Sequence, residues 1–251
     1  MVKVCVIGSG NVSVHLIKAF QESRSAELVQ VLARSEANLS GFVADTMIIS
    51  DYSQLKDADL YVIAVSDSAI GEVSAQLTFE NRLVAHTSGA MDLTLIDPRN
   101  RPASFYPLQT FSKAKAIDMR SVPICIEATD KADLEVLHLA ASAISDRVYE
   151  MQSAQRRAAH LAAVFASNFT NHMYAIADEI CTENKVNFEI LKPLIRETAE
   201  KVMHLSPLEA QTGPALRNDT ESIKKHLELL SDSDLKTIYS ILSKSIHAKK
   251  L

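Results

Sequence analysis

Met1-Val-Lys-Val-Cys-Val-Ile-Gly8-Ser-Gly10-Asn-Val-Ser13 decides the fold of this 251-residue chain. An apolar run (Val2, Val4, Cys5, Val6, Ile7) stops at two glycines one residue apart. Val12, Leu16, Ile17 and Phe20 then recur at helical spacing. A strand that ends in closely spaced glycines and opens a helix predicts the first turn of a dinucleotide-binding βαβ unit. In that reading Gly8 permits the tight turn and Gly10 lets the backbone approach a pyrophosphate. The free N–H groups at the helix start, Asn11 and Val12, meet the negative charge. The third small position is Ser13, so helix and strand must pack around a hydroxyl. The competing reading is a glycine turn without a ligand.

Composition narrows the remaining classes. A 47% apolar and 23% charged chain is ordinary globular composition, and its length suffices for one large domain or two modest ones. A net charge of −5, with Lys and Arg spread along the chain, argues against nucleic acid or an anionic membrane as partner. Three well-separated cysteines, Cys5, Cys125 and Cys181, without CxxC spacing, predict a reduced, cytoplasmic protein with no metal site. No apolar stretch reaches the roughly 18 residues of a membrane helix, and the N-terminal apolar run is too short for a signal peptide.

The first 150 residues alternate strand-like and helical runs. Strands are expected at Lys3–Ile7, Leu28–Ala33, Met47–Ile49, Leu60–Val65, Leu83–His86, Ala103–Tyr106, Pro123–Ile126 and Arg147–Tyr149. The clearest helices between them are Asn11–Ser23, Ala69–Gln76 and Lys131–Ile144. Such alternation predicts an α/β domain with a largely parallel sheet. From Gln152 onward only helical periodicity remains: one long helix over Gln152–Glu183, then Asn187–His204, Thr220–Leu230 and Asp234–Lys249, the last two capped by Asp219 or Thr220 and by Ser233. The expected organisation is a Rossmann domain over 1–151 and an all-helical substrate and dimerisation domain over 152–251.

Several residues are candidates for the site. The second strand ends at Arg34-Ser35 with no acid at its tip, where an NAD-specific fold places one about 20 residues past the glycines. A guanidinium with a neighbouring hydroxyl suits a 2′-phosphate, so NADP(H) is expected over NAD(H), the alternative being that Arg34 is a solvated loop charge. Ligands of open α/β sheets sit outside the carboxyl ends of the strands. Two such ends carry polar residues: Val65-Ser66-Asp67-Ser68, beside the cofactor or capping the next helix, and His86-Thr87-Ser88-Gly89-Ala90, beside substrate or nicotinamide. His86 itself reads as structural. The loop Tyr106-Pro-Leu-Gln-Thr-Phe111 lines a pocket or is a plain strand exit. On the long helix, at 100° per residue, His160, Ser167, Asn168 and Asn171 share one sector of an otherwise apolar surface, either as site residues or as hydrogen-bonding groups at a helix–helix interface. His160 and Asn171 are about 16 Å apart along the axis, so they do not reach one reacting atom.

Taken together, Gly8-Ser-Gly-Asn-Val, Val65-Ser-Asp-Ser, His86-Thr-Ser-Gly-Ala, Phe105-Tyr-Pro-Leu-Gln-Thr-Phe, His160-Leu-Ala-Ala-Val-Phe-Ala-Ser-Asn-Phe-Thr-Asn and Gly213-Pro-Ala-Leu-Arg-Asn-Asp resemble Rossmann-like proteins that carry a C-terminal domain of unknown function. That group is similar to pyrroline-5-carboxylate reductase, deazaflavin-dependent NADP reductases and β-hydroxyacid dehydrogenases. The resemblance spans essentially the whole chain. It implies NADP-dependent hydride transfer to or from a small carbonyl or imine substrate. It also implies a helical C-terminal domain like that of 6-phosphogluconate dehydrogenase, and a homodimer through that domain. Ser88 and Gly89 match the substrate loop of the β-hydroxyacid dehydrogenases, and Asn168 their helix asparagine. Their catalytic lysine, one turn earlier, is Val164 here, which leaves proton transfer to His160 or water and favours imine or other reduction over alcohol oxidation. Ser88, His160 and Asn168 are therefore the catalytic candidates, with Gly89, Asn171 and Arg217 as substrate contacts. Arg217 suits a substrate carboxylate or is a surface arginine. The missing lysine also leaves open a dinucleotide-binding sensor or scaffold without turnover, or a dimerisation module with a vestigial pocket.

Overall fold

A computed structural model describes residues 1–34, 39, 44 and 47–249; the expectation for Ser35 lies outside the described residues. The chain divides into two compact units, 1–172 and 173–251.

In the first unit the strands are β1 (Val2–Ile7), β2 (Ala26–Leu32), β3 (Ile48–Ile49), β4 (Leu60–Ile63), β5 (Leu83–His86), β6 (Arg101–Pro107), β7 (Ile124–Ala128) and β8 (Val148–Glu150). Helices α1 (Asn11–Glu22), α2 (Ile70–Ala75), α3 (Lys131–Ser142) and α4 (Ser153–Ala163) accompany them. Among the described residues, eight strands join one sheet in the order β3-β2-β1-β4-β5-β6-β7-β8. Every pair from β3 to β6 is parallel; β6–β7 is antiparallel and β7–β8 parallel. The turn of direction follows from the connection. Residues 108–123 carry only a short 3₁₀ turn at Met119–Ser121, and a parallel return needs a longer crossover, usually a helix. The strand order reverses between β1 and β4, the switch point where doubly wound sheets bind ligands.

Alternating side chains split the core between the two sheet faces. Val4, Val6, Leu60-side residue Val62 and Phe105 pack with Leu16, Phe20, Leu137 and Ala140, while Cys5, Ile7, Tyr61 and Ile63 pack with Ile70 and Leu77. Cys5, Cys125 and Cys181 are free and buried.

The long helix forms over 153–183, but in three parts: α4, a π-helical segment at Val164–Phe169 and α5 (Thr170–Glu183). Gln152 and Gln155 close a capping box at its start. The second unit holds most of α5, then α6 (Lys192–Lys201), α7 (Pro214–Arg217), α8 (Thr220–Leu229) and α9 (Ser233–Ala248). Asp219 caps α8 as expected. Asp232, not Ser233, caps α9, because its carboxylate accepts from the Asp234 and Leu235 N–H groups. Among the described residues no helix is long and apolar enough to cross a membrane.

Candidate functional site

The glycine turn is built as its residue types require. Gly8 sits at φ +130°, and a Cβ there would lie 2.3 Å from the Ala64 carbonyl oxygen and 2.9 Å from Ser13 Oγ. Only glycine fits that approach of β1 to β4. The Ser13 hydroxyl resolves the expected packing problem by donating to the Ala64 carbonyl at 2.8 Å. Gly10 is the N-cap of α1, without a side-chain cap and with no acid in the first turn. A Cβ at Gly10 would meet nothing within 4 Å. Helix N–H groups and open space thus face the same spot, the cradle a pyrophosphate needs. The Asn11 side chain is engaged elsewhere, donating to the Phe111 carbonyl at 3.1 Å, which leaves Asn11 to act through its backbone.

This cradle opens into a cleft of about 1100 Å³. Gly8, Gly10, Asn11 and Val12 line it from β1 and α1, and Val65 and Ser66 from the end of β4. The Ser66 hydroxyl makes no helix cap and is 3.5 Å from Ser68 Oγ. Asp67 opens the following 3₁₀ turn and is not among the residues lining the cleft. At the β2 side, exposed Arg34 lines the cleft with Ser50, Asp51 and Tyr52. Burial raises the Tyr52 phenol, and the Arg34 guanidinium nearby opposes that shift.

The next strand ends form a second cluster. The Ser88 hydroxyl accepts from the Ala90 and Met91 N–H groups at 3.2 and 3.1 Å, so it closes the loop after β5. Gly89 lies beneath a tyrosine–histidine couple: a Cβ there would stand 2.6 Å from Tyr106 Cζ and 2.7 Å from His160 Nδ1. Tyr106 Oη and His160 Nδ1 are 3.0 Å apart. Burial pushes the Tyr106 phenol up to about 12. Under this cluster lies Arg156, fully buried one helical turn before His160. It pairs with Glu127 of β7 at 3.1 Å and donates to the Ser88 and Met91 carbonyls at 2.8 and 2.7 Å. His86 is fully buried; burial first, then the Arg156 charge, lowers its pKa to about 4, so it is neutral near pH 7. Its Nδ1 accepts from the Ser88 N–H at 3.2 Å, which places its proton on Nε2. His86 is therefore a structural histidine of the loop, as its sequence context suggested.

Comparison with known proteins places this architecture. A crystal structure from Bacteroides fragilis, described as a "putative NADP oxidoreductase", is 37% identical and superposes with a TM-score of 0.86 over 99% of this chain and 98% of that one. A Rossmann-like domain model matches residues 1–109, and a model for a domain of unknown function, DUF2520, matches residues 122–246. The chain belongs to the Rossmann-like proteins with a DUF2520 domain. The fold extends further. An imine reductase from Myxococcus stipitatus, a variant in complex with NAD+, has 16% identity and a TM-score of 0.65 over 99% of this chain and 94% of that one. Pyrroline carboxylate reductase from Plasmodium falciparum, with NADP bound, has 12% identity and a TM-score of 0.63 over 98% of both chains. No curated protein sequence matches this chain.

In this DUF2520 protein the sequence candidates separate. Ser88, Gly89 and His160 come together at the ends of β5 and β6. Asn168 and Asn171 are exposed, and so are Phe165 and Phe169. The expected common sector with His160 rests on 100° per residue. The intervening π segment, with its i→i+5 bonding, breaks that phase. Arg217 belongs to the second unit, exposed, at the end of α7 and near Asp219. The sequence reading missed Arg156 and took Tyr106 only as the start of a loop that lines a pocket or leaves a strand. Tyr106 carries a signal, a polar-tipped residue at a strand's carboxyl end. Arg156 carries one too, its i, i+4 relation to His160, which puts both on one helix face.

Proposed function

We propose that this protein is an NADP-dependent oxidoreductase acting on a small carbonyl or imine substrate. One observation carries the reading: Gly8 is locked against Ala64 while Gly10 leaves open space at an uncapped helix start, in a cleft long enough to continue past the β2 end. A glycine turn with no ligand has no need of that open approach. The relatives named above, among them NAD(P)-bound reductases, support it. The dinucleotide, when bound, supplies or accepts the hydride. Gly8, Gly10, Asn11 and Val12 would hold its pyrophosphate through backbone groups, with Val65 and Ser66 along its second half. Arg34 at the β2 end supplies the fork for a 2′-phosphate.

The test is direct. NADPH and NADH are titrated into the protein by fluorescence, and then a panel of keto acids and cyclic imines is added. NADPH oxidation by a panel member supports the reductase; tight binding with no turnover across the panel favours the sensor. Gly10→Ala should leave stability within about 0.5 kcal/mol, since its Cβ meets no protein atom. It should weaken dinucleotide binding at least about tenfold, roughly 1.4 kcal/mol. Arg34→Ala should weaken NADPH more than NADH; equal weakening removes the case for the 2′-phosphate.

The same proposal includes a homodimer through the helical domain. Among the described residues of the second unit the buried apolar side chains are Cys181 and Ala215, whereas Ile190, Leu194, Met203, Leu229 and Ile241 are exposed. Apolar surface on that scale marks an association face. Sedimentation at micromolar concentration should give twice the chain mass, and a monomer there removes the proposal.

A further inference from the structure

The couple at the ends of β5 and β6 has chemistry that its neighbours lack. Ser88 uses its hydroxyl oxygen within its own loop and its carbonyl on Arg156. His86 is sealed in the core. His160 is half-buried, is held at Nδ1 by Tyr106, and stands with Tyr106 against the bare face of Gly89. We infer that His160 Nε2 is the atom that gives the substrate its proton and takes it back, and that Tyr106 is the positioning residue that fixes the imidazole by holding Nδ1. The inference deepens the dinucleotide reading above and rests on it.

Three observations support it. First, the location: β1, β4, β5 and β6 are consecutive neighbours with their carboxyl ends on one edge, and the half of the sheet beginning at β4 serves the second mononucleotide. The Thr87 N–H donates to the Ile63 carbonyl at 3.1 Å, which ties the loop beneath the couple to the end of β4. Second, the division of labour: burial keeps Tyr106 a neutral phenol, suited to holding a ring nitrogen rather than to exchanging protons. A hydrogen bond at one imidazole nitrogen decides what the other can do. Third, the fit at Gly89: any side chain there would strike both members of the couple.

The substrate carbon takes up a hydride, two electrons and a proton, from the reduced dinucleotide. The π pair of the C=O or C=N bond passes to the heteroatom, which takes the Nε2 proton of a His160 imidazolium. A neutral imidazole remains, its Nδ1–H donated to Tyr106 Oη, and bulk water returns the Nε2 proton. The reverse direction runs the same transfers backward.

Among the described residues Arg156 on α4, Cys125 on β7 and Asp67 after β4 act on the Tyr106 phenol, and Glu127 on β7 pairs with Arg156. None of them changes when the cofactor changes redox state, so a nearby nicotinamide can be read out without turnover. Imidazole nitrogen NMR of the full-length protein, saturated in turn with NADPH and with NADP+, measures the titration midpoint of His160. The positive ring of NADP+ should lower that midpoint by at least about half a pH unit relative to NADPH, the scale of one charge within roughly 10 Å. Equal midpoints with both nucleotides bound overturn the inference while leaving the cofactor site intact. If neither nucleotide binds, the dinucleotide reading fails and the inference falls with it. Tyr106→Phe should retain nucleotide affinity within twofold yet change the tautomer ratio of neutral His160, and an unchanged ratio removes Tyr106 as the positioning residue. With any panel substrate that turns over, the same variant should lower kcat about 100-fold more than it changes KM.

Discussion

The sheet unit and the helical unit of this chain solve the burial problem differently. In the first, Val4, Val6, Val62, Phe105 and Ile126 are wholly excluded from solvent, and even an arginine is buried with its partners. In the second, amphipathic helices leave Leu194 on α6 and Ile241 on the well-capped α9 in the open. A sheet covered on both faces completes a core by itself. Helices of 10 to 16 residues need a surface against which to lay their apolar stripes. Local helix chemistry can therefore be right while an apolar stripe stays exposed.

The contrast can be broken most forcefully at Arg156. Arg156→Ala strands the half-buried Glu127 and frees the Ser88 and Met91 carbonyls, and should cost about 3–5 kcal/mol in denaturant unfolding. A loss below 1 kcal/mol would mean that the Arg156–Glu127 pair does not hold the sheet unit's polar centre together. His86 comes next. Its imidazole protonates near 6.5 in the unfolded chain but only at about 4 in the folded one. Between those values the unfolded chain alone carries the proton, so stability declines as pH falls from 6.5 to 4 and levels off below. Above 6.5 the contribution is absent. The total is on the order of 3 kcal/mol, and His86→Gln should flatten that limb of the stability–pH curve. An unaltered limb in the variant assigns the acid sensitivity elsewhere.

Smaller effects sharpen the comparison. Ser13→Ala removes the hydroxyl that satisfies Ala64 and should cost about 1–3 kcal/mol, with dinucleotide affinity falling alongside because the same contact shapes the Gly8 turn. Leu194→Ser in the helical unit should change the stability of dilute, monomeric protein by no more than about 0.5 kcal/mol. It should also abolish any rise of Tm with protein concentration. If dilute protein is strongly destabilised instead, Leu194 is already buried within one chain's fold in solution.

Local pattern made most of the architecture legible. The strand ends shift by a few residues, as at Arg101–Pro107 against the expected Ala103–Tyr106, because ladder bonding extends past the apolar run. The Gly8–Ser13 turn was readable because its residue types answer a steric demand made within six residues. The geometry of the long helix was misjudged at Val164–Phe169, since nothing in the composition of Val-Phe-Ala-Ser-Asn-Phe marks an i→i+5 turn.

By itself, then, the amino-acid order determined the βαβ opening, the eight strands, the helical second half and the cradle, all features governed by side-chain periodicity and backbone sterics at short range. Only the tertiary structure decided that Arg156 rather than Arg157 goes inside, that Glu127 meets it, and that Tyr106 holds His160 across 54 residues of chain. Those pairings depend on strand register and on where α4 docks against its own unit's sheet, and adjacent residues carry no record of either.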